Sequence, residues 1–201
     1  MSSKEKILEA AAREFAKKGF DSVSMNEIAK LVDLNKATLY HHFQDKKTLY
    51  KEIIKVELDK LHSNFEKELD YENKSGEELL VGYIKSFIKT IKESPYLISF
   101  ALREFANYGA NVDESLVPHI EQDIDYLAKV INKLNLKRKY KDMNIYVIFC
   151  LIHGTINTFY TIQMSSLPLG GDPVLKQDSE KSLDYIAEFI SNILLDAIVE
   201  K

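Results

Sequence analysis

Lys36, Thr38, Tyr40 and His41 lie within six residues of one another in the run NKATLYHHF (35–43). One helical stretch thus exposes an ammonium, a hydroxyl, a phenol and an imidazole. Such groups match phosphate oxygens and the edges of nucleic-acid bases, the two chemistries by which proteins hold and read DNA. No competing chemistry is signalled. The chain has no CxxC pair, no HExxH helix and no glycine-rich phosphate loop. His41 and His42 are neighbours, so on a helix they point about 100° apart and cannot chelate one ion together. His62, His119 and His153 are scattered along the chain. No catalytic constellation, cofactor or metal site is expected, and the chain does not read as an enzyme.

These residues need two short helices and a tight turn to present them. Ser24-Met25-Asn26-Glu27 has the form of a capping box, with a hydroxyl at the helix start and a carboxylate three residues on. Ile28, Leu31 and Val32 follow at i, i+3 and i+4, one apolar stripe. Asp33-Leu34-Asn35 interrupts it, and Asp33 tolerates the left-handed backbone that a tight turn uses. Asn35 can cap the next helix, whose Leu39 and Phe43 point inward. A preceding helix over Ser3–Lys18 carries Ile7, Leu8, Ala11, Ala12 and Phe15 on one face, with Gly19 as its stop. Asp45 can cap a long fourth helix running from Lys46 to about Leu69.

Residues 5 to 50 resemble the DNA-binding domain of the tetracycline-repressor (TetR) family of bacterial transcriptional regulators. The resemblance rests on Ile7-Leu8, Ala11-Ala12, Phe15, Gly19-Phe20, Ser24, Ile28-Ala29, Val32, Leu39-Tyr40, His42-Phe43, Lys46 and Leu49-Tyr50. Asp33 and Ala37 stand where the family often has glycine. The resemblance implies that the second helix enters the major groove. Ser24 and Thr38 would then donate hydroxyls to phosphates, Tyr40 would meet backbone or a thymine methyl, and Lys46 would pair with a phosphate. Asn35, Lys36, Ala37 and His41 would face the groove and set sequence preference.

The balance of charge fits this division of labour. Residues 1–50 carry 9 Lys/Arg against 7 Asp/Glu, whereas residues 51–201 carry 18 against 24. A local surplus of two is weak for a DNA binder, so tight binding calls for a dimer that doubles the phosphate contacts. Apolar spacing is helical almost everywhere after Lys46, and no period-2 strand is visible. The expected fold is therefore all-α with about nine helices: a helix-turn-helix domain over 1–47 and a helical effector-binding and dimerisation domain over 48–201.

The stretch 144–171 contains no Asp, Glu, Lys or Arg. His153, Thr155, Asn157, Thr158, Thr161 and Gln163 make it too polar for a lipid span. A helix buried on several sides by protein is expected there, with Cys150 as a buried core thiol. A loop is expected over Leu167–Val174. The N-terminus has no apolar signal core, which leaves the cytoplasm as the expected compartment. Segments 144–164 and 180–200 carry apolar residues on more than one face, notably Leu151, Phe189 and Ile193, and such surplus marks interfaces. The family resemblance implies a homodimer through a four-helix interface of these two segments.

The resemblance also implies a cavity for a small effector in the C-terminal domain. This region is rich in aromatic residues with few polar groups among them, as pockets tend to be. Tyr83, Phe87, Phe100, Arg103, Tyr108, Phe149, His153, Asn157 and Tyr160 are the candidates. They fit a hydrophobic or aromatic ligand, with Arg103 available to an anion. The reading is a ligand-released repressor on a palindromic operator. An activator, or an effector-independent DNA-binding structural protein, is the alternative.

Overall fold

The computed structural model describes residues 2–94, 96–164 and 179–200. Nine helices cover most of them: α1 (Ser3–Lys18), α2 (Met25–Leu31), α3 (Lys36–His42), α4 (Lys46–Glu68), α5 (Gly76–Glu93), α6 (Leu97–Ala106), α7 (Val117–Asn132), α8 (Ile145–Met164) and α9 (Ser179–Ile198). Among the described residues the β-pairing is one isolated antiparallel bridge, Leu136 to Val199. The loop expected over Leu167–Val174 lies outside the described residues.

The ends of the helices show why the chain breaks where it does. A full capping box opens α1, with Ser2 Oγ accepting from Glu5 N–H at 3.2 Å and Glu5 accepting from Ser2 N–H at 2.7 Å. Gly19 closes α1 at φ +84°, in backbone space that costs glycine little. Asp33 occupies the turn between α2 and α3 at φ +51°. Asn35 Oδ1 accepts from Thr38 N–H at 2.8 Å to open α3, and Asp45 Oδ1 accepts from Thr48 N–H at 2.7 Å to open α4. The box expected at Ser24 is half-formed. Ser24 Oγ caps Glu27 N–H at 3.2 Å, but the Glu27 carboxylate turns to Lys18, because an ammonium is a stronger partner than a backbone amide.

The chain divides into two compact units that interleave in sequence. One comprises Met1–Lys60 and Ser94–Ile120, the other Leu61–Glu93 and Glu121–Lys201. The first unit therefore holds α6 and the loop after it together with α1–α3 and the start of α4. Its core collects Ile7 and Phe15 of α1, Ile28 of α2, Leu39 and Phe43 of α3, Tyr50 and Ile53 of α4, and Phe100 of α6. Tyr50 sits at its centre, with the rings of Phe15, Phe20 and Phe100 at 5.1, 5.0 and 5.6 Å.

In the second unit α5 packs along α9, and α9 also touches α8. Buried Tyr83, Ile84 and Phe87 of α5, Leu127 of α7, Ile148, Ile152 and Ile156 of α8, and Ile186 and Ile190 of α9 form its interior. The α8 helix contains a π-helical turn over Cys150–Gly154. It is long and apolar enough to cross a membrane by length and composition, yet its buried face carries His153 and Asn157. Two sequence expectations fail on this helix. It is buried along one side, not several, and Cys150 is exposed. Both have one cause: Tyr146, Val147, Cys150 and Leu151 lie on the side of α8 that no part of the chain covers among the described residues.

Candidate nucleic-acid interface

Buried Leu39 and Phe43 fix one side of α3 to the core of the first unit. The opposite side, with Lys36, Ala37, Tyr40 and His41, is exposed. That alternation comes from the spacing of the two apolar residues, four apart on a helix of 3.6 residues per turn. Beside it lies an open groove of about 410 Å³, lined by Ser24, Asn26, Tyr40 and Lys46 among others. Three of the residues singled out from sequence for phosphate contact thus converge on one concavity. Asn26, which sequence reasoning passed over, lines it too; its place between Ser24 and Glu27 in the cap was the available signal.

The individual groups are partly engaged. Ser24 Oγ accepts from the α2 backbone, which leaves its proton free to donate outward. Thr38 differs from expectation: its hydroxyl donates to Asn35 Oδ1 at 2.9 Å, so in this state the proton serves the cap of α3 and the oxygen alone remains for DNA. Asn35 uses its carbonyl oxygen twice in that cap, which leaves its amide N–H groups for a base or phosphate. Lys46 Nζ donates to Phe20 O at 3.0 Å and lies 4.3 Å from the Phe20 ring centre. A second N–H reaches Asp21 O at 3.5 Å, so of the three ammonium donors one remains for the groove. The His41 and His42 rings stand 5.7 Å apart and tilted by 62°.

The nine residues expected at an effector site fall in both units. In the second unit, His153 is fully enclosed. Its Nε2 shares a 2.7 Å hydrogen bond with the Tyr83 hydroxyl, and its ring lies 4.1 Å from those of Phe149 and Phe87. Burial in this apolar setting pushes its pKa down to about 3, so the imidazole is neutral and Tyr83 donates to it. One turn on, Asn157 is buried with no hydrogen-bond partner for its Oδ1. Tyr160 is half-buried on the same helix. Phe100, Arg103 and Tyr108 belong to the first unit, unlike the other six. Phe100 packs on Tyr50, and Arg103 donates to backbone carbonyls of α1. Tyr108 is 98% exposed at φ +54°. Sequence composition offered all three equally, because spacing within a helix does not say which unit the helix joins.

A helix-turn-helix whose exposed side is basic and aromatic has the form of a DNA-binding module. Residues 7–53 match the model of the bacterial regulatory proteins, tetR family. The chain is 40% identical over 60 residues to the biofilm operon icaADBC HTH-type negative transcriptional regulator IcaR of Staphylococcus aureus (strain Newman), covering 30% of this chain and 32% of that protein. It is 38% identical over 68 residues to the HTH-type transcriptional regulator QacR of Staphylococcus aureus (strain Mu50 / ATCC 700699), covering 34% and 36%. The match thus spans about a third of the length of these curated relatives. The fold extends further: the ketosteroid transcriptional regulator KstR2 of Mycobacterium tuberculosis superposes with a TM-score of 0.72 at 17% identity, over 100% of this chain and 96% of that one. Residues 7–53 thus match the N-terminal domain of the tetR family, and the fold of the described residues is that of the solved tetR-family regulators.

Proposed function

We propose that this protein is a cytoplasmic transcriptional repressor that binds a palindromic DNA operator as a homodimer and is released by a small hydrophobic or aromatic effector. The observation that carries the DNA-binding part is the exposed side of α3 beside the Ser24–Tyr40–Lys46 groove. Ser24, Asn35, Lys36, Ala37, Thr38, Tyr40, His41 and Lys46 form the DNA-contacting set, Thr38 through its oxygen. The name of IcaR, a negative regulator, supports repression.

Dimerisation is supported by faces of α8 and α9 that are uncovered among the described residues. Leu151, Phe189 and Ile193 are each close to half exposed, and Tyr185, Phe189 and Ile193 recur every four residues as one stripe. Contiguous apolar surface of this kind on a soluble chain marks an interface. A two-fold dimer would present two α3 helices to two half-sites. The effector site is supported by the enclosed Tyr83–Phe87–Phe149–His153 cluster and the unpartnered Asn157 Oδ1. No Lys or Arg takes part in that cluster among the described residues, so an uncharged ligand is favoured over an anion. Release would follow if the effector binds better to the conformer with lower operator affinity. DNase footprinting on genomic fragments retained by the protein tests the proposal. Two protected half-sites about one helical turn apart are expected; retention without a discrete footprint would refute it.

A further inference from the structure

The helix α6 lies more than fifty residues beyond the helix-turn-helix in sequence, yet it is built into the same unit. Two consecutive side chains make the attachment. The Arg103 guanidinium donates from Nε to Ala16 O at 3.1 Å and from Nη2 to Lys17 O at 2.9 Å. These carbonyls belong to the last turn of α1, where backbone acceptors have no helical partner and a cation meets the negative end of the helix dipole. Gly19 makes room for it, since a Cβ there would lie 3.2 Å from Arg103 Nη1. Glu104, buried, accepts from the Tyr50 hydroxyl of α4 at 2.6 Å and from Asn111 N–H at 3.3 Å. In the following loop Asp113 faces Lys51 of α4 at 3.3 Å. The α6 residue Phe100 completes the core that also holds Leu39 and Phe43 of α3.

We infer that Arg103 and Glu104 are positioning residues for DNA reading: by holding the end of α1 and Tyr50 of α4, they fix the angle at which α3 is presented. Neither touches DNA in this account. A tether on α1 and another on α4, made from adjacent residues of one helix, locks the distance between two helices that share a core with α3. The covalent path adds to this. The chain enters α6 directly from α5, so α6 brings the second unit's chain into the DNA-reading unit as α4 does. The inference rests on the DNA-binding reading of α3.

The test uses the full-length protein and the duplex that the wild-type chain enriches from a random-sequence pool. Arg103→Met keeps the apolar stem and removes the donors; Arg103→Lys restores a single charge; Tyr50→Phe removes the other tether by one oxygen atom. Arg103→Met is expected to bind that duplex about tenfold more weakly, a size typical of residues that act on a site without touching ligand. The slope of affinity against salt should stay that of wild type, and the penalty for a half-site spacing altered by one base pair should shrink. Arg103→Lys should recover part of the loss, and Tyr50→Phe should reproduce the relaxed spacing. A salt slope smaller by about one would make Arg103 a phosphate contact and overturn the inference. So would unchanged affinity in a folded Arg103→Met, or a loss explained by its unfolded fraction with spacing preference intact. A wild-type chain that enriches no sequence would overturn the DNA-reading function beneath it.

Discussion

Replacing His153 by Phe should make the protein less stable at pH 7 but less sensitive to acid. The imidazole is enclosed by Phe87, Phe149 and Tyr83 and titrates near pH 3 when folded, against 6.5 when free in water. Between these values the unfolded chain binds a proton that the folded chain refuses, so stability falls as pH falls through this window. At pH 4.5 an unfolded histidine is almost fully charged. The linked loss between pH 7 and 4.5 is about 2.5 kcal/mol, at about 1.4 kcal/mol per unit once below 6.5. The figure depends on the free value alone while the pH stays well above 3. The variant lacks this loss, but it leaves the buried Tyr83 hydroxyl without its 2.7 Å partner, which costs about 1–3 kcal/mol at any pH. Urea unfolding followed by circular dichroism at pH 7.0, 5.5 and 4.5 measures both effects. Wild type should be the more stable at pH 7, and the gap should close by about 2.5 kcal/mol, or reverse, at pH 4.5. Parallel pH profiles would show that the folded imidazole takes up its proton as freely as the unfolded one, and the enclosure argument would fail.

Other perturbations test other parts of the account. Tyr40→Ala and Lys46→Ala should each weaken operator binding across sequences by about tenfold, with the salt slope reduced by about one for Lys46→Ala only; fluorescence anisotropy at several salt concentrations separates them. Gly76→Ala should cost about 2 kcal/mol in thermal unfolding, because the new Cβ would lie 2.4 Å from the Lys133 carbonyl oxygen, a backbone atom that cannot swing away. Leu151→Glu combined with Ile193→Glu should convert a dimer to a monomer of unchanged helicity, seen by light scattering after gel filtration; a dimer that survives both charges would place the interface elsewhere.

Much of the helical register was legible because short-range rules governed it. Asn35, Asp45 and Gly19 ended or began helices where a cap or a positive φ was needed. Leu39 and Phe43 went inward as their spacing required. What stayed hidden depended on partners distant in sequence. Glu27 chose Lys18 over its own backbone, and Arg103 became a clasp on α1 instead of an anion receptor. Cys150 sits inside an apolar run, but the described residues cover only one side of α8, so the thiol is exposed. The run of apolar residues reported that α8 is sticky, and it did not say on which side the chain itself supplies the cover. Tyr108 shows the same gap, being aromatic in sequence and wholly exposed in the fold.

Selection of duplexes from a random-sequence pool by the full-length protein tests the central claim most directly. Wild type should enrich an inverted repeat whose half-sites lie about one helical turn apart, with Tyr40→Ala and Lys46→Ala enriching little or nothing at the same salt. Recovery of no common sequence, with retention that disappears uniformly as salt is raised, would mean that the exposed side of α3 meets phosphates without reading bases, and would contradict it.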